Sequence, residues 1–309
     1  MLLKRITFIV NPNSANGATG RQWPKIHLKA KDRLGSFEVM ITAGPGDATR
    51  LTRQAVLSGV DIVVCVGGDG TLNEVVNGLM NEKGSLESEV LLGYIPRGTG
   101  CDLAKSLPVP LNLERALDNI FTCRNRQIDL GKLTCRNHRG LESYRYFHNV
   151  LSLGLGGEVD ARVNRASKVF GSFLSFMWAT LISILRFDKK RVHLRVDDHF
   201  DEKVTIWNVA IANGQYHGGG MWVAPGAAIN DGLFQVTIIG DLSMPAVFWN
   251  LPRLYNGKIY EHQKIIKLIG RRVVASSAQV VLLDMDGEQP GRLPVVIEMV
   301  PSALSIICD

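Results

Sequence analysis

Apolar residues in the first part of the chain form short runs that alternate with stretches of helical spacing. The runs at 6–10, 38–41, 62–66 and 91–95 are rich in β-branched residues and bounded by Gly, Pro or Asn, so we predict four buried parallel strands. Helices are predicted over 48–57, 72–80 and 113–122, and a strand follows near 127–133. This alternation predicts a doubly wound α/β domain over residues 1–130.

The pattern changes after this point. Short apolar runs between turn residues predict strands at 146–153, 191–196, 205–212, 233–239, 273–275, 279–284 and 295–300, and two helical stretches interrupt them, near 168–187 and 245–256. Such an arrangement is typical of an antiparallel β-sandwich, which we place at residues 131–301. The expected fold class is therefore α/β followed by all-β.

Charge and cysteine content limit which partners and which cellular compartment suit the protein. The 309 residues carry 35 Lys and Arg against 29 Asp and Glu, a net charge of +6 that suits nucleic acid, anionic lipid or a phosphorylated ligand. Five cysteines without a Cys-x-x-Cys pair argue for a reducing compartment and against a zinc site. The first apolar run is too short for a signal peptide, so we expect a cytoplasmic protein.

A glycine-rich turn follows the strand predicted at 62–66. It begins with Gly67, Gly68, Asp69 and Gly70, after which apolar residues recur at helical spacing. Glycines let backbone N–H groups approach a ligand and a helix N-terminus favours an anion, so we predict a phosphate site here. The Asp69 carboxylate would repel a phosphate unless it faces a cation or accepts a proton from an incoming hydroxyl. The alternative is a plain tight turn in which Asp69 only caps the helix.

Two further features belong to this prediction. We expect Thr71 and Glu74 to form a capping box at the start of the helix. Loops at 11–17 and 96–102 also follow predicted strands, and because the carboxyl ends of parallel strands share one sheet edge, the three loops are expected to cradle a triphosphate. No Gly-x-x-x-x-Gly-Lys-Ser/Thr motif is present, which excludes a P-loop enzyme. The scattered histidines are interpreted as surface or packing residues.

The run from Gly67 to Leu79 resembles the signature of the diacylglycerol kinase catalytic-domain family, which includes bacterial lipid kinases and sphingosine and ceramide kinases. Further motifs of that family match in order along nearly the whole chain: Asn11-Pro12, Thr42, Gly98-Thr99, Asn213-Gly214 to Asp231-Gly232, and Asp286-Gly287-Glu288. The resemblance implies an ATP-dependent transfer of phosphate to a hydroxyl of a membrane lipid. It also implies a nucleotide domain like those of phosphofructokinases and NAD kinases, completed by residues 302–309, and a β-sandwich carrying the lipid site.

The resemblance also implies roles for individual residues. Contacts with ATP are expected from Asn11, Pro12, Asn13, Ser14, Thr42, Gly68, Asp69, Gly70, Thr71, Leu72, Asn73, Glu74, Thr99 and Asp102. Glu288 is similar to the family's proton acceptor, and Asp69 is the other catalytic candidate. Asp231, with the carbonyls of Ala228 and Leu233, is similar to the structural Mg²⁺ site of the bacterial branch.

Two departures from the family pattern bear on activity. Cys101 stands where the family commonly has Asn, and the first loop lacks the lysine that bacterial relatives often carry, for which we expect Arg21 to substitute. A catalytically inactive lipid-binding relative is therefore one alternative. NAD kinase, which shares the Gly-Gly-Asp-Gly-Thr run, is another. The lipid that is used, the division of roles between Asp69 and Glu288, and the oligomeric state, with a homodimer as one option, stay open.

Three segments after residue 130 carry further candidate chemistry. The run 284–288 holds three carboxylates that alternation places on one side, as a solvated hairpin end or a functional cluster. The uncharged stretch 169–185 is interpreted as a buried or interfacial helix, either core or a wall for acyl chains. The segment 245–272 joins aromatic residues to six Lys and Arg and a single acid, which suits peripheral docking on the anionic inner face of a membrane, and the alternative is a solvated basic face. We expect no nucleic-acid partner.

Overall fold

The computed structural model describes residues 4–84, 86, 89–137, 139–165 and 182–309. Most of the uncharged helix expected near 168–187 therefore lies outside the described residues. The chain divides into two compact units: the first comprises Met1–Asp129 and Pro301–Asp309, and the second comprises Leu130–Val300. Two long strands, β5 and β17, contribute residues to both units.

The first unit is a parallel sheet with helices between its strands. Its elements are β1 (Ile6–Val10), α1 (Ala18–Leu34), β2 (Glu38–Ile41), α2 (Asp47–Leu57), β3 (Ile62–Gly67), α3 (Asp69–Leu79), β4 (Leu91–Pro96), α4 (Leu103–Ser106), α5 (Leu113–Thr122) and the start of β5 (Asn125–Arg136). The strand order is β2-β1-β3-β4, every pair is parallel, and Ile306 of β17 pairs with Leu92 on the far side of β4.

Burial explains the order of this sheet. The side chains of β1 and β3 are buried along their whole length, and they pack with helices α1 and α5 into one apolar core. Strand β2 was expected to be buried too, and this expectation is wrong, because β2 is the edge strand and leaves Glu38 and Ile41 exposed. Helix α1 was not predicted.

The second unit consists of antiparallel sheets. Its elements are β6 (Glu142–Phe147), β7 (Val150–Gly154), α6 (Leu155–Arg165), β8 (Lys190–Val196), β9 (Phe200–Ile206), β10 (Asn208–Ala212), β11 (Tyr216–His217), β12 (Met221–Trp222), β13 (Phe234–Ile239), α7 (Met244–Asn250), α8 (Arg253–Asn256), a 3₁₀ turn (Ile259–Glu261), β14 (Ile265–Gly270), β15 (Arg272–Ser276), β16 (Leu283–Met285) and β17 (Arg292–Ile307).

One sheet of the second unit has the order β14-β13-β10-β7-β16, while β17, β15, β8 and β9 pair in sequence in another. Val192 and Val273 from the latter share a buried core with Val209 and Val236 from the former. A core between two sheets is that of a β-sandwich. The predicted fold class, α/β followed by an antiparallel β domain, is therefore confirmed.

One strand differs from its prediction in a way that matters for the site. The run 146–153 was expected to be a single strand, but it is divided between β6 and β7, and His148 and Asn149 lie in the break. Both residues are buried. Their backbone amides therefore need partners outside the sheet ladders, and an acidic turn supplies them, as described below.

Candidate active site

Helix α3 begins earlier than the sequence suggested. Gly68 is its N-cap and Asp69 its first residue, so Thr71 already lies inside the first turn. The predicted capping box between Thr71 and Glu74 is therefore wrong. The Thr71 hydroxyl instead accepts a hydrogen bond from Nδ2 of Asn11 at 2.8 Å, which ties the helix to the loop after β1.

Glu74 has a different structural role. Its buried carboxylate accepts hydrogen bonds from the backbone amides of Gly46 at 2.7 Å and Ala48 at 2.9 Å, at the start of α2. The first amides of a helix have no partner within it, and a carboxylate there also complements the helix dipole. Glu74 thus connects α3 to α2, and its contact with ATP stays a prediction. Leu72 and Asn73 are likewise fully buried.

The structure brings three of the predicted loops together. Besides the bond between Asn11 and Thr71, the hydroxyl of Thr19 in α1 donates to the carbonyl oxygen of Arg97 at 3.0 Å. A Cβ placed on Gly68 would lie 3.0 Å from the Cα of Gly98. The loops after β1, β3 and β4 are thus in direct contact at the carboxyl ends of the strands, where open α/β sheets bind their ligands.

The first loop is shaped by its own backbone. The amide of Asn13 donates to Oδ1 of Asn11, and the hydroxyl of Ser14 donates to the Asn11 carbonyl. Ala15, Asn16 and Gly17 follow with positive φ angles of 49°, 55° and 77°, and α1 begins directly after them. Arg21, in the first turns of α1, lies with Nη1 3.4 Å from the Asn16 carbonyl oxygen. A cation is therefore available at this loop despite the missing lysine.

The remaining residues that are predicted to contact the nucleotide differ in their burial and in their hydrogen-bond partners. Thr42 is buried, and its amide donates to the carbonyl of Val10 at 2.9 Å, so it lies beside the end of β1. Asp102 is buried and bonded by Nζ of Lys105 at 2.7 Å. Thr99 is exposed. Pro12 accepts the amide of Gly20 through its carbonyl at 3.0 Å, so the first turn of α1 rests on the loop.

Asp69 gives the start of α3 a negative charge. Burial raises the pKa of the Cys101 thiol, and the nearby charge of Asp69 raises it further. The same two causes, in the same order, raise the pKa of Tyr94 well above its ordinary value. A carboxylate whose charge is felt by two half-buried or buried neighbours is only weakly screened by water. Such a group suits a cation or a reacting proton better than a bare phosphate.

The acidic run 284–288 forms a tight turn in the second unit. Met285 and Glu288 bond to each other through both backbone groups, and the central residues Asp286 and Gly287 have φ angles of 51° and 83°. Positive φ at both central positions is the mark of a type I′ turn. Strand alternation therefore ends at Met285, and the expectation that Asp284, Asp286 and Glu288 share one side by alternation is wrong.

The first two carboxylates of this turn are buried, whereas Glu288 is partly exposed. Asp286 accepts the amides of His148 at 3.0 Å and Asn149 at 3.2 Å, in the break between β6 and β7, and that of Val150, the first residue of β7, at 3.0 Å. The turn is thus not a solvated hairpin end. Glu288 keeps a third of its side chain exposed and lies 3.8 Å from Nη1 of Arg145. A fixed turn with one partly exposed carboxylate can present that carboxylate to a hydroxyl.

Two histidines near this turn were not singled out from the sequence. Nε2 of His148, which is completely buried, lies 3.4 Å from Asp286, and Nε2 of His217 lies 2.5 Å from Asp284. Their partners are more than 60 residues away along the chain. The only local signal is the Gly-Gly-Gly run after His217, which fits either a plain hairpin or a place where the backbone comes close to a substrate.

Two family descriptions match this chain. The diacylglycerol kinase catalytic domain matches residues 5–133, and the YegS C-terminal NAD kinase beta sandwich-like domain matches residues 149–308, more than half of the chain. The chain belongs to the diacylglycerol kinase catalytic-domain family. It is 27% identical over 294 residues to the diacylglycerol kinase of Bacillus subtilis, covering 94% of this chain and 92% of that protein. The diacylglycerol kinase of Staphylococcus carnosus is 26% identical over 292 residues, with 94% and 90% covered.

Solved structures of the diacylglycerol kinase family and of a nucleotide kinase share the fold. A Bacillus anthracis chain provisionally assigned as a diacylglycerol kinase has a TM-score of 0.79 at 24% identity, covering 99% of this chain and 95% of its own. Yeast NADH kinase in complex with NADH has a TM-score of 0.52 at 13% identity, covering 98% and 82%. At such identities the similarity establishes the fold alone.

Cys101, the departure from the family pattern noted in the sequence, makes a local contact within its loop. Cys101 has a φ of 46°, a left-handed conformation that Asn adopts more readily than most residues. Its sulfur accepts the amide of Gly98 at 3.2 Å. The thiol therefore serves as the hydrogen-bond acceptor that an Asn side chain could otherwise provide. The loop therefore has an internal hydrogen bond that Cys101 accepts.

Proposed function

We propose that this protein transfers the γ-phosphate of ATP to a hydroxyl group of a membrane lipid, diacylglycerol or a related lipid. The observation that carries this proposal is the contact between the loops after β3 and β4, where Gly68 and Gly98 meet beside the start of α3. Backbone amides and a helix N-terminus at one sheet edge suit a polyphosphate. Membership of a family of lipid kinases supplies the acceptor.

The chain's own residues have separate tasks in this proposal. The loop amides and the N-terminus of α3 hold the triphosphate, and Arg21 adds a positive charge at the first loop. The oxygen of the lipid hydroxyl bonds to the γ-phosphorus, and Glu288 accepts the proton of that hydroxyl. The bond from the γ-phosphorus to the bridging oxygen breaks, and ADP leaves. Asp286 fixes the turn that carries Glu288. Asp69 would hold the cation that accompanies the nucleotide.

Magnesium is the expected cation, and it supplies neutralisation of the phosphate charge when bound. No group of three or more Asp, Glu, His or Cys side chains among the described residues has the geometry of a metal site. A second, structural site would therefore rest on one carboxylate and backbone oxygens. Asp231 fits this role, since its exposed carboxylate uses Oδ1 to accept the amide of Leu233 at 3.0 Å. The carbonyls of Ala228 and Leu233 would complete an oxygen-only donor set, which Mg²⁺ prefers.

The second unit offers a surface for reaching the lipid. Trp249 of α7 is 86% exposed and Tyr255 of α8 is 62% exposed, and Arg253 and Lys258 are their neighbours along the chain. Exposed aromatic rings beside cations favour the interface of an anionic bilayer. None of the helices in the described part of the chain is both long and apolar enough to cross a membrane. We therefore propose peripheral docking at the inner face of the membrane, from the cytoplasm.

A phosphotransfer assay tests the proposed function. Purified protein is incubated with γ-labelled ATP, Mg²⁺ and vesicles that contain diacylglycerol, phosphatidylglycerol or a sphingoid base, with NAD as the soluble alternative acceptor. Label should pass to a lipid in the wild type and fall to background in Asp69→Asn, whose circular dichroism and melting temperature should match the wild type. Label on NAD alone, or equal lipid labelling by a folded Asp69→Asn variant, would contradict the proposal.

A further inference from the structure

His217 and Asp284 form a largely buried pair that the proposed mechanism does not use. Nε2 of His217 lies 2.5 Å from Oδ2 of Asp284, and the two side chains are only 14% and 3% exposed. Because an ionised carboxylate can only accept, the imidazole donates from Nε2. A charge-assisted bond of this length away from water is strong and directional.

The same carboxylate also reaches the turn that carries Glu288. Oδ1 of Asp284 accepts the amide of Gly287 at 3.1 Å, and the hydroxyl of Ser152 donates to Oδ2 at 3.4 Å. Gly287 is a central residue of the type I′ turn and directly precedes Glu288. One carboxylate therefore links the imidazole of His217 to the backbone that sets the position of Glu288.

The surroundings hold both ends of this link in place. Asp284 pairs with Ser152 in the β16–β7 ladder, so its backbone cannot shift without breaking the sheet. His217 belongs to the short β11–β12 hairpin, where the ring of Tyr216 stacks on that of Trp222 with centroids 5.4 Å apart. Nδ2 of Asn149 donates to the carbonyl of Tyr216 at 2.7 Å, which fastens this hairpin to the break between β6 and β7.

We infer that His217 is a positioning residue for Glu288, acting through Asp284 and the Gly287 amide. The expected effect on kcat rests on the proposed function, whereas the link from His217 to the turn that carries Glu288 does not. With Nε2 removed, the Asp284 carboxylate loses one of its donors, and its side chain can turn away from the Gly287 amide. Displacement of a reacting group by about 1 Å can cost on the order of 10²-fold in rate.

Two substitutions at one position separate this role from simple packing. In Gln, the side-chain amide nitrogen is as many bonds from Cβ as Nε2 of His, so His217→Gln can still donate to Asp284. In Asn, the amide nitrogen takes the place of Nδ1, so His217→Asn cannot reach it. We expect His217→Asn to lower kcat about 10²-fold with KM for ATP unchanged. His217→Gln should stay close to the wild type.

The effects on kcat of substitutions at His217 and at Asp284 should also be coupled. Asp284→Asn should lower kcat in the same way, and adding His217→Asn to it should cause no further loss, because residues that act as one unit are not additive. Additive losses, a His217→Asn variant with wild-type kcat, or a His217→Gln variant as impaired as His217→Asn would each overturn the inference. If His217→Asn does not fold, the kcat values of His217→Gln and Asp284→Asn are compared instead. His217→Gln should keep a kcat close to that of the wild type while Asp284→Asn lowers it, and equal kcat values in the two variants would overturn the inference.

Hydrogen exchange of the Gly287 amide, followed by NMR, gives a readout that needs no activity. Exchange should be faster in His217→Asn than in the wild type and unchanged in His217→Gln, and equal rates in all three would overturn the inference. A wild type that phosphorylates no lipid would instead contradict the proposed function, and the exchange rates would still test the link from His217 to the turn.

Discussion

Gly68 and Gly98 lie so close that a side chain at Gly98 has no room and one at Gly68 would be tight. A Cβ on Gly98 would stand 2.4 Å from the Cα of Gly68, and the converse distance is 3.0 Å. Non-bonded carbon atoms do not approach each other to 2.4 Å, so any larger residue at Gly98 must push the two loops apart. Since these loops are proposed to hold the triphosphate together, their separation should be felt first in ATP binding.

Gly98→Ala is therefore expected to weaken ATP binding and to lower stability by about 1–3 kcal/mol. Isothermal titration with a non-hydrolysable ATP analogue and thermal unfolding would measure the two effects. Gly44→Ala is the matched control, because a Cβ there meets nothing within 4 Å and the residue has no positive φ. It should bind normally and be unchanged or slightly more stable. Equal behaviour of the two variants would mean that the loops do not act together.

Alkylation of Cys101 should report on the charge of Asp69. Burial raises the pKa of this thiol and the Asp69 carboxylate raises it further, so little thiolate is present at neutral pH. The rate of reaction with iodoacetamide should rise as pH increases beyond the ordinary thiol range. Asp69→Asn removes one of the causes, lowers the pKa and should speed the reaction at every pH below it.

Peptide mapping by mass spectrometry distinguishes Cys101 from the other thiols. Cys123, which is also partly exposed, serves as the internal reference and should react at the same rate in both proteins. ATP with Mg²⁺ should slow the reaction at Cys101 alone. If Asp69→Asn leaves the rate at Cys101 unchanged, the carboxylate is not close enough to act on the nucleotide site as proposed.

Glu74 should matter for the stability of the first unit. Glu74→Ala leaves the amides of Gly46 and Ala48 without their acceptor, and the orphaned amide of Ala48, which is buried, costs about 1–3 kcal/mol. Glu74→Gln keeps an acceptor oxygen and should lose less. Urea unfolding measures both, and the exposed Glu38→Ala is the control, expected to change stability by no more than about 0.5 kcal/mol. A Glu74→Ala variant as stable as the control would show that α2 does not need this cap.

The sequence was most informative where local patterns carry the structure. Buried apolar runs located β1, β3 and β4, and the Gly-Gly-Asp-Gly run located the start of α3 to within three residues. Helix α1 was missed for a physical reason. Its N-cap is Gly17 without a capping side chain, Pro24 lies inside it, and it buries only three residues, so its periodic signal is weak.

Contacts between distant residues could not be derived from local patterns. Glu74 was assigned to its own helix because spacing suggests a capping box, yet its partners are 26 and 28 residues earlier. Asp286 finds the amides of residues 148–150, and Asp284 finds His217, only once the strands have paired. Alternation suggested one acidic face, but a type I′ turn redirected the last two carboxylates.

Asp231 should determine a stabilising response to Mg²⁺. Asp231→Asn keeps an oxygen that can accept the Leu233 amide and removes the charge, so the local turn should survive while metal binding weakens. The wild type should melt at a higher temperature with millimolar Mg²⁺, and Asp231→Asn should lose most of that increase. Asp198→Asn, another exposed carboxylate of the second unit, is the control and should respond like the wild type. An unchanged response in Asp231→Asn would place the stabilising metal elsewhere.

Docking on anionic membranes should depend on the aromatic residues of α7 and α8 as well as on charge. Some cations of the segment 245–272 are already engaged. Nζ of Lys264 donates to the Asp241 carbonyl at 2.6 Å, Lys267 lies 5.4 Å over the ring of Tyr260, and Arg272 is 3.3 Å from Glu298. By contrast, Trp249 and Tyr255 are largely exposed. The rings are therefore the sharper target, and the cations supply a screened attraction of about 1 kcal/mol each.

Vesicle co-sedimentation tests this dependence. Binding of the wild type should rise with phosphatidylglycerol content and fall with added salt, since the Debye length is about 8 Å at physiological ionic strength. Replacing Trp249 and Tyr255 by Ala should weaken binding at every salt concentration, because it removes an apolar contribution. A second variant changes four exposed cations to Gln, namely Lys264, Lys267, Arg271 and Arg272. These changes should weaken binding mainly at low salt and leave the affinity for ATP intact.

A charge-matched control separates a local surface from net charge. Four exposed cations elsewhere serve for this, each changed to Gln: Lys25, Lys31, Arg53 and Lys203. This control lowers the net charge by the same amount and should sediment more like the wild type than like the variant of residues 264–272. Equal losses in the two four-fold variants would mean that binding follows net charge alone. Equal binding of the wild type to neutral and anionic vesicles would remove electrostatic docking from the proposal, and apolar contacts would then have to bring the lipid to the site.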